Sequence, residues 1–159
     1  MPPELLADLR EVDLSRVVLD REKIASILPH RGTMALVDHM CLVDPGALVG
    51  VGVKQVRLDE FWIQGHFPGN PLFPGVLLVE AAAQVSLIVY KMTVPEIAPR
   101  LVVFGGIEEV RFRGAVKPGD RVGIIARMRE RSRRGARAST QAVVDGRLVY
   151  EGEVLAIVT

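Results

Sequence analysis

The most restrictive feature of this sequence is a long apolar segment at its centre, residues 76–90, which follows a stretch rich in proline and glycine. Within the segment the single charged side chain is Glu80 and the single amide side chain is Gln84. Apolar residues would lie on every side of a helix here, so such a helix must be covered over most of its surface. The sequence therefore predicts a buried central helix from residue 75 to residue 91 or 92, with Pro74 in its first turn.

The segments on both sides of this helix have the alternating pattern of β-strands. Residues 34–43 and 48–58 predict two strands joined by a turn, and a short helix capped by Asp20 and ending at Ile27 precedes them. After the central helix, strands are predicted at residues 101–113, 120–131, 136–144 and 147–158. Asp145 and Gly146 are typical of a tight hairpin turn because both accept positive φ angles. The element order predicts an α+β domain with one antiparallel sheet around one long helix.

A chain of 159 residues suits one domain with a buried core. We assign residues 21–159 to this domain and residues 1–20 to an N-terminal extension, which we expect to be loosely attached. The lone Cys41 excludes an intramolecular disulfide and is consistent with a reducing, cytoplasmic location. The N-terminal residues lack the pattern of a signal peptide, and segment 76–90 is too short to cross a membrane, so no membrane insertion is expected.

Composition argues against two classes of ligand. One tryptophan, two tyrosines and a formal net charge of +1 give little support for nucleic-acid binding. His30 and His39 are isolated in the sequence, and no three ligand residues are spaced for a metal ion. We therefore expect neither a nucleic-acid partner nor a metal.

Glu80 is the first candidate for chemistry, because burying a carboxylate costs several kcal/mol unless it is paired, hydrogen-bonded or protonated. No cation lies three or four residues from it, and Gln84 can hydrogen-bond to it without neutralising its charge. Burial is expected to raise the pKa of Glu80, opposed by the positive end of the helix dipole. A carboxyl group with a tunable pKa is a candidate general acid.

His66, in the loop directly before the helix, is the candidate base, because an imidazole is mostly neutral near pH 7. The N–H groups of Gly75 and Val76 have no intrahelical acceptor and could hold an oxyanion. Together these groups suit removal of a proton α to a carbonyl with loss of a β-hydroxyl group. Two alternatives stay open from the residues alone: a loop histidine is more often structural or solvated, and a helical glutamate usually faces solvent.

Four blocks of the sequence belong together: LPHR with LVD (28–31, 36–38), GHFPGNPLFPGVLLVEAAAQ (65–84), FGGIEEVRFRGAVKPGD (104–120) and RRGARASTQAVVDGRLVYEGE (133–153). In this order they resemble the β-hydroxyacyl-acyl-carrier-protein dehydratases of bacterial fatty acid synthesis. The resemblance covers residues 24–158 and implies a hot-dog fold, an antiparallel sheet wrapped around one long helix. It also implies a homodimer joined edge to edge, with trimers of dimers in many members, an acyl carrier protein as partner, and no cofactor.

The resemblance implies a role for each candidate residue. His66 matches the histidine that removes the α-proton of a (3R)-hydroxyacyl thioester. Glu80 matches a carboxylate, supplied by the other subunit, that helps to expel the hydroxyl group as water. Gly75 matches the glycine whose N–H holds the thioester carbonyl, and Gln84 matches the polar residue that supports the acid. The implied product is a trans-2-enoyl thioester.

Two features bear on the acyl chain. The related dehydratase–isomerase branch carries aspartate at the position of Glu80, so glutamate favours the plain dehydratase, while isomerase activity stays open. The family commonly has a bulky Tyr-Pro-Phe segment where this chain has Gly32, Thr33 and Met34, which leaves chain-length preference open. The residues expected along the acyl tunnel are Met34, Phe67, Leu72, Phe104 and Gly105, although Phe104 suits a plain core position equally well.

A cluster of arginines is the candidate docking surface for an acidic carrier protein. It comprises Arg127, Arg129, Arg131, Arg133 and Arg134. Strand alternation places the first three on one face, and a basic patch beside the tunnel mouth would steer docking. The alternative is a solvated hairpin without this function.

Two other functions compete with dehydration. A hot-dog thioesterase would use a carboxylate to activate water and would not need a base at His66, so the presence of both residues argues against it. A non-catalytic acyl-binding paralogue is disfavoured by the intact His66, Glu80, Gly75 and Gln84, although the altered segment 32–34 keeps it open.

Overall fold

The computed structural model describes residues 4–159 and contains a six-stranded antiparallel sheet packed against one long helix. The sheet order is β1-β2-β4-β5-β6-β3. The elements in chain order are α1 (Arg21–Ile27), β1 (His39–Asp44), β2 (Val49–Gln55), α2 (Gly75–Thr93), β3 (Val102–Phe112), β4 (Arg121–Arg131), β5 (Gly135–Val144) and β6 (Arg147–Val158). Short 3₁₀ turns lie at Gly32–Met34 and Pro95–Ile97.

Helix α2 is the centre of the core, as the sequence predicts. Its buried residues pack against β2, β4, β5 and β6. Gly50 and Gly52 make room for it, since a Cβ at either position would lie 2.6 Å from Val89 or Val85 of the helix. Among the described residues, α2 alone is long and apolar enough to cross a bilayer, and it is largely buried inside the protein.

Pro74 differs slightly from its predicted place. It is the N-cap residue of α2 rather than a residue of its first turn, and its carbonyl accepts the N–H groups of Leu77 and Leu78. Because proline lacks an N–H, the cap position suits it as well as the first turn does.

The last four strands and the turns between them follow the predicted boundaries closely. The hairpin between β5 and β6 has Asp145 at φ 47° and Gly146 at φ 75°, the left-handed values that a two-residue hairpin requires. Asp20 caps α1 as predicted, and its carboxylate accepts the N–H of Lys23 at 2.8 Å.

The prediction for the first strand is wrong at its start. β1 begins at His39 rather than at residue 34, because Gly32–Met34 forms a 3₁₀ turn. Gly32 has φ 59°, which favours glycine, and the polar groups of the next residues bond to Gln84 instead of a neighbouring strand. Residues 34–36, which were predicted to form part of a strand, therefore hydrogen-bond to α2.

Residues 4–20 are packed along the sheet rather than loosely attached. Apolar residues of this segment, among them Leu9 and Leu14, cover the sheet face opposite α2, where Val51 and Ile125 are fully buried. The Leu6 N–H donates to Gln141 Oε1 at 2.8 Å, and Leu19 forms a β-bridge with Met40. The extension thus completes a second, smaller core on the outer face of the sheet. Residues 1–3 of the predicted extension lie outside the described residues.

Candidate active site

His66 is held in a tight loop that ends just before α2. Its Nδ1 lies 2.7 Å from the carbonyl oxygen of Leu72, and its own carbonyl accepts the Leu72 N–H. A carbonyl oxygen can only accept, so Nδ1 carries the proton in this contact and Nε2 is the free basic nitrogen. Phe67 stacks on the imidazole with ring centroids 4.1 Å apart. The loop therefore presents one defined ring nitrogen for proton transfer.

A polar cluster of Lys54, Glu60 and Trp62 packs against this loop. Glu60 accepts hydrogen bonds from Lys54 Nζ at 3.1 Å and from Trp62 Nε1 at 2.9 Å. Trp62 packs edge-on against Phe73, and its carbonyl accepts the His66 N–H. Lys54 is nearly fully buried, so the pairing with Glu60 is needed to compensate its charge. The cluster links the position of His66 to strand β2.

Glu80 lies on the first turns of α2 and is contacted by two side chains at the same oxygen. Gln84 Nε2 donates to Oε1 at 2.9 Å, and His30 Nε2 lies 3.2 Å from Oε1. Gln84 is fixed in turn, because its Nε2 also donates to the Met34 carbonyl and its Oε1 accepts the Leu36 N–H. The expected contact between Gln84 and Glu80 is present. His30, described above as isolated, is the second partner.

The pKa of Glu80 is lowered, contrary to the expectation from burial alone. Burial raises this pKa, and the hydrogen bonds from His30 and Gln84 lower it, so that the net shift is downward. The sequence prediction erred because it considered helical neighbours, whereas His30 approaches from the loop after α1.

One continuous cavity opens beside Glu80. It has a volume of about 360 Å³ and lies between α2 and the inner faces of β4, β5 and β6, reaching the start of β3. Its wall is mostly apolar, and the polar side chains that reach it are those of His30, Glu80, Gln84, Ser86 and Tyr90. A cavity with an apolar wall and few polar groups suits an apolar ligand whose polar end lies at Glu80.

The five residues predicted along the tunnel divide into two groups. Phe104 lines the cavity. Met34, Phe67, Leu72 and Gly105 do not line it. Met34 and Phe67 are exposed, and a Cβ on Gly105 would meet the side chain of Ile157. A role of these four residues along the acyl chain stays a prediction.

His66 and Glu80 are not in contact within one chain. Across residues 4–159, no hydrogen bond or ion pair joins them, and His66 does not line the cavity beside Glu80. Residues 67–79, which comprise the rest of the loop and the start of α2, separate them along the chain. The acid and the base predicted as partners therefore lie at two separate places in a single subunit.

Gly75 and Val76 begin α2 as predicted. Within residues 4–159 their N–H groups have no backbone acceptor, and Val76 is 72% exposed. A Cβ atom on residue 75 would lie only 2.8 Å from the ring of Phe112. Glycine is thus required here for close packing with β3 as well as for access to the backbone N–H.

The prediction that Arg127, Arg129 and Arg131 share one face of a strand is wrong. A β-bulge at Arg129 shifts the register between β4 and β5, so that Met128 pairs with Ala138 but Arg131 pairs with Ala136. Because Ala136 and Ala138 both line the cavity, Arg131 lies on the α2 side of the sheet and Arg127 on the other. A bulge of this kind is invisible to simple alternation.

Most of these arginines already have partners in the chain. Arg127 donates to the carbonyl of Leu6 at 2.6 Å, so it holds the extension. Arg129 donates to Ser139, and Arg133 pairs with Glu96. Arg131 and Arg134 are exposed. A docking role for any of these residues stays a prediction.

His30 and His39, isolated in the sequence, both have partners in the structure. His30 contacts Glu80, and His39 Nε2 lies 2.8 Å from the Leu14 carbonyl, where it helps to hold the extension. The block LPHR was the available signal for His30. Its arginine, Arg31, donates to the carbonyls of Ala25, Leu28 and His30, which fixes the loop that carries the histidine.

The fold and the cavity define a hot-dog protein with a carboxyl group at the wall of an apolar pocket. The FabA-like domain family matches residues 28–153. The 3-hydroxyacyl-[acyl-carrier-protein] dehydratase FabZ of Herpetosiphon aurantiacus is 40% identical over 138 residues, which cover 87% of this chain and 96% of that protein. The chain belongs to the β-hydroxyacyl-acyl-carrier-protein dehydratase family.

Solved structures with lower sequence identity show the same fold. The dehydratase heterocomplex ApeI:P from Xenorhabdus doucetiae superimposes with a TM-score of 0.72 at 16% identity, covering 86% of this chain and 90% of that one. A hypothetical thioesterase with coenzyme A from Streptococcus pneumoniae TIGR4 gives a TM-score of 0.57 at 14% identity, covering 76% and 84%. These two likenesses concern the fold alone.

Proposed function

We propose that the protein converts (3R)-hydroxyacyl-acyl carrier protein into trans-2-enoyl-acyl carrier protein and water, as a step of fatty acid synthesis in the cytoplasm. The observation that carries this proposal is the carboxyl group of Glu80 at the wall of an apolar cavity, with Oε1 occupied and Oε2 not used by either contact. The FabZ relative supports the substrate class.

In the proposed reaction, Nε2 of His66 takes the proton from the carbon α to the thioester carbonyl. The electron pair forms the Cα–Cβ double bond, and the bond from Cβ to the hydroxyl oxygen breaks. Glu80 gives its proton to that oxygen, which leaves as water. The hydrogen bond from His66 Nδ1–H to Leu72 stabilises the imidazolium that forms.

Glu80 must be protonated for dehydration and ionised for the reverse hydration. Its lowered pKa makes the carboxylate the main form in the free protein at neutral pH. Substrate that fills the cavity removes water from the carboxyl group, which favours the uptake of a proton. The N–H groups of Gly75 and Val76 are the proposed donors to the thioester oxygen as negative charge develops on it.

The site is proposed to be shared between two subunits. His66 and Glu80 lie apart in one chain, so a second copy is needed to bring a base and an acid together. Strand β3 is an edge of the sheet and exposes four large apolar side chains, Val103, Phe104, Ile107 and Phe112. An exposed apolar edge strand is a site for pairing with another strand. We propose a homodimer joined along β3.

Carrier-protein docking is proposed for the exposed arginines Arg131 and Arg134. Arg131 is the last residue of β4 and lies on the α2 side of the sheet, and Arg134 follows in the turn. An acidic partner would be attracted to such cations over a distance of about 10 Å at moderate salt.

The reaction is tested in the hydration direction with crotonyl- and longer trans-2-enoyl-acyl carrier proteins. Loss of the enoyl absorbance without release of free thiol is expected, and His66→Ala and Glu80→Gln should each lower the rate at least 100-fold with the fold unchanged. Release of thiol would make the protein a thioesterase. Binding without either change would make it an acyl-binding protein.

A further inference from the structure

We infer that His30 positions the carboxyl group of Glu80, by donating a hydrogen bond to Oε1 so that Oε2 faces the substrate. This inference rests on the proposed dehydration and adds a residue to it. Gln84 and His30 both approach Oε1, at 2.9 and 3.2 Å, and they come from different directions, α2 and the loop after α1. Two donors on one oxygen fix the plane of the carboxyl group and leave the other oxygen for proton exchange.

The loop that carries His30 is built to hold the ring in place. Arg31 donates to the carbonyl of Ala25 at 2.8 Å, of Leu28 at 2.8 Å and of His30 at 2.7 Å. The Leu28 N–H closes the end of α1 by donating to Ile24. The guanidinium therefore ties α1 to the histidine backbone, so that the ring contacts Glu80 without the entropy cost of ordering a free loop.

The surroundings of the ring indicate which proton it carries. Across residues 4–159, Nδ1 of His30 is a buried polar atom without a hydrogen-bond partner. A protonated ring would bury an unpaired N–H of a cation, whereas a neutral ring with its proton on Nε2 leaves only an unpaired acceptor. The neutral form with Nε2–H costs less and is the one that donates to Glu80.

The other charged and titratable groups around the ring have their own partners. Arg21 of α1, which lines a small pocket with His30, pairs with Asp38. Tyr90 of α2, which lines the large cavity with His30 and Glu80, donates its hydroxyl to the Ser132 carbonyl. Glu80 is thus the group whose charge state the ring affects directly.

A neutral donor can be replaced by another neutral donor, which makes the inference testable with two variants. His30→Gln keeps an N–H donor of similar reach, and His30→Leu removes it. His39→Gln is the matched control, since His39 bonds to the Leu14 carbonyl away from the cavity. Folding of each variant is checked by circular dichroism and urea titration.

The first readout is the pH profile of hydration with crotonyl-acyl carrier protein. In this direction Glu80 acts as a carboxylate. The rate of hydration therefore falls as the pH drops through the pKa of Glu80. His30→Leu should lower kcat about 30-fold with little change in KM and should move the acidic limb to higher pH. His30→Gln should retain kcat within about fivefold, and His39→Gln should match the wild type.

The second readout does not depend on turnover. The ¹³C resonance of the Glu80 carboxyl carbon, assigned by its loss in Glu80→Gln, is followed against pH. It should titrate at higher pH in His30→Leu than in the wild type, because a donor to the carboxylate is lost.

Two results would overturn the inference. One is a wild-type kcat and acidic limb in His30→Leu. The other is equal loss in His30→Leu and His30→Gln with an unmoved acidic limb, which would make His30 purely structural. If the wild-type protein hydrates no enoyl thioester, the proposed function fails. The carboxyl titration then still tests the contact between His30 and Glu80, and an unchanged titration in His30→Leu rejects it.

Discussion

The carboxyl group of Glu80 is subject to opposing effects, and their balance gives it a measurable influence on stability. Burial disfavours its charge, while His30 and Gln84 favour it more strongly, so its folded-state pKa lies below the ordinary value of 4.5. A carboxyl group with a lowered folded pKa stabilises the fold above its unfolded pKa, and this stability is lost as the pH falls through the folded value.

The first prediction concerns this pH dependence. Glu80→Gln removes the titrating group, so the free energy of unfolding of the wild type relative to this variant should be largest above about pH 5 and should shrink as the pH falls below 4.5. Urea titrations at several pH values between about 3 and 7 measure it. A difference that is constant over this range would contradict the lowered pKa.

The second prediction concerns the wall of the cavity. Ala136 lines the cavity from β5, so Ala136→Leu would fill part of it. We expect kcat/KM for long enoyl thioesters to fall about tenfold while that for crotonyl thioester changes less than twofold, because only a long chain needs the filled volume.

The control for the cavity prediction is Ala47→Leu, the same substitution at an exposed turn. It should leave the chain-length profile unchanged. An equal loss for short and long substrates in Ala136→Leu would show that the acyl chain takes another path.

At the scale of elements, the N-terminal extension is part of the folded domain. It covers the face of the sheet that α2 leaves open, and it is joined to the sheet by Gln141 and Arg127 as well as by apolar contacts. Without it, Val51 and Ile125 would face water on that side. Apolar surface of this kind costs about 25 cal/mol per Å² when exposed.

The third prediction tests the extension. Leu14, whose side chain lies against Gly123 of β4, is replaced by alanine, and the free energy of unfolding should fall by about 1–2 kcal/mol through lost apolar contact. Val17→Ala is the comparison within the same segment, because Val17 is 56% exposed. It should change stability by less than about 0.5 kcal/mol. Equal effects of the two changes would argue that the segment is not packed in solution.

At the scale of the whole molecule, His66 and Glu80 lie apart in one chain, whereas the proposed reaction needs both. In the fourth prediction, equal amounts of the inactive variants His66→Ala and Glu80→Gln are unfolded and refolded together. If each site takes His66 from one subunit and Glu80 from the other, half of the dimers are mixed and one of their two sites is intact. About a quarter of the wild-type rate should then return.

The mixing experiment needs proof that mixed dimers form, which two different affinity tags provide. Each variant refolded alone is the control and should stay inactive. If isolated mixed dimers show no activity, the site is not shared in the proposed way.

Local signals in the sequence accounted for most of the elements. The apolar stretch predicted α2 within two residues at its end, Asp20 predicted the cap of α1, and Asp145 with Gly146 predicted the last hairpin. These succeed because helix periodicity, capping and turn angles depend on residues close together in the chain. Residue types likewise identified Glu80 and Gln84 as a pair, since one helical turn separates them.

Contacts between distant segments were decided by the tertiary structure. Sequence spacing did not bring His30 to Glu80, did not place the extension on the sheet, and did not foresee the bulge at Arg129 that moves Arg131 to the α2 side. Each of these depends on how the sheet curves around α2 and on which polar groups remain to be paired after it does. The sequence by itself determined the helix, the strands and the reactive residue types, and packing around the buried helix decided which of them meet.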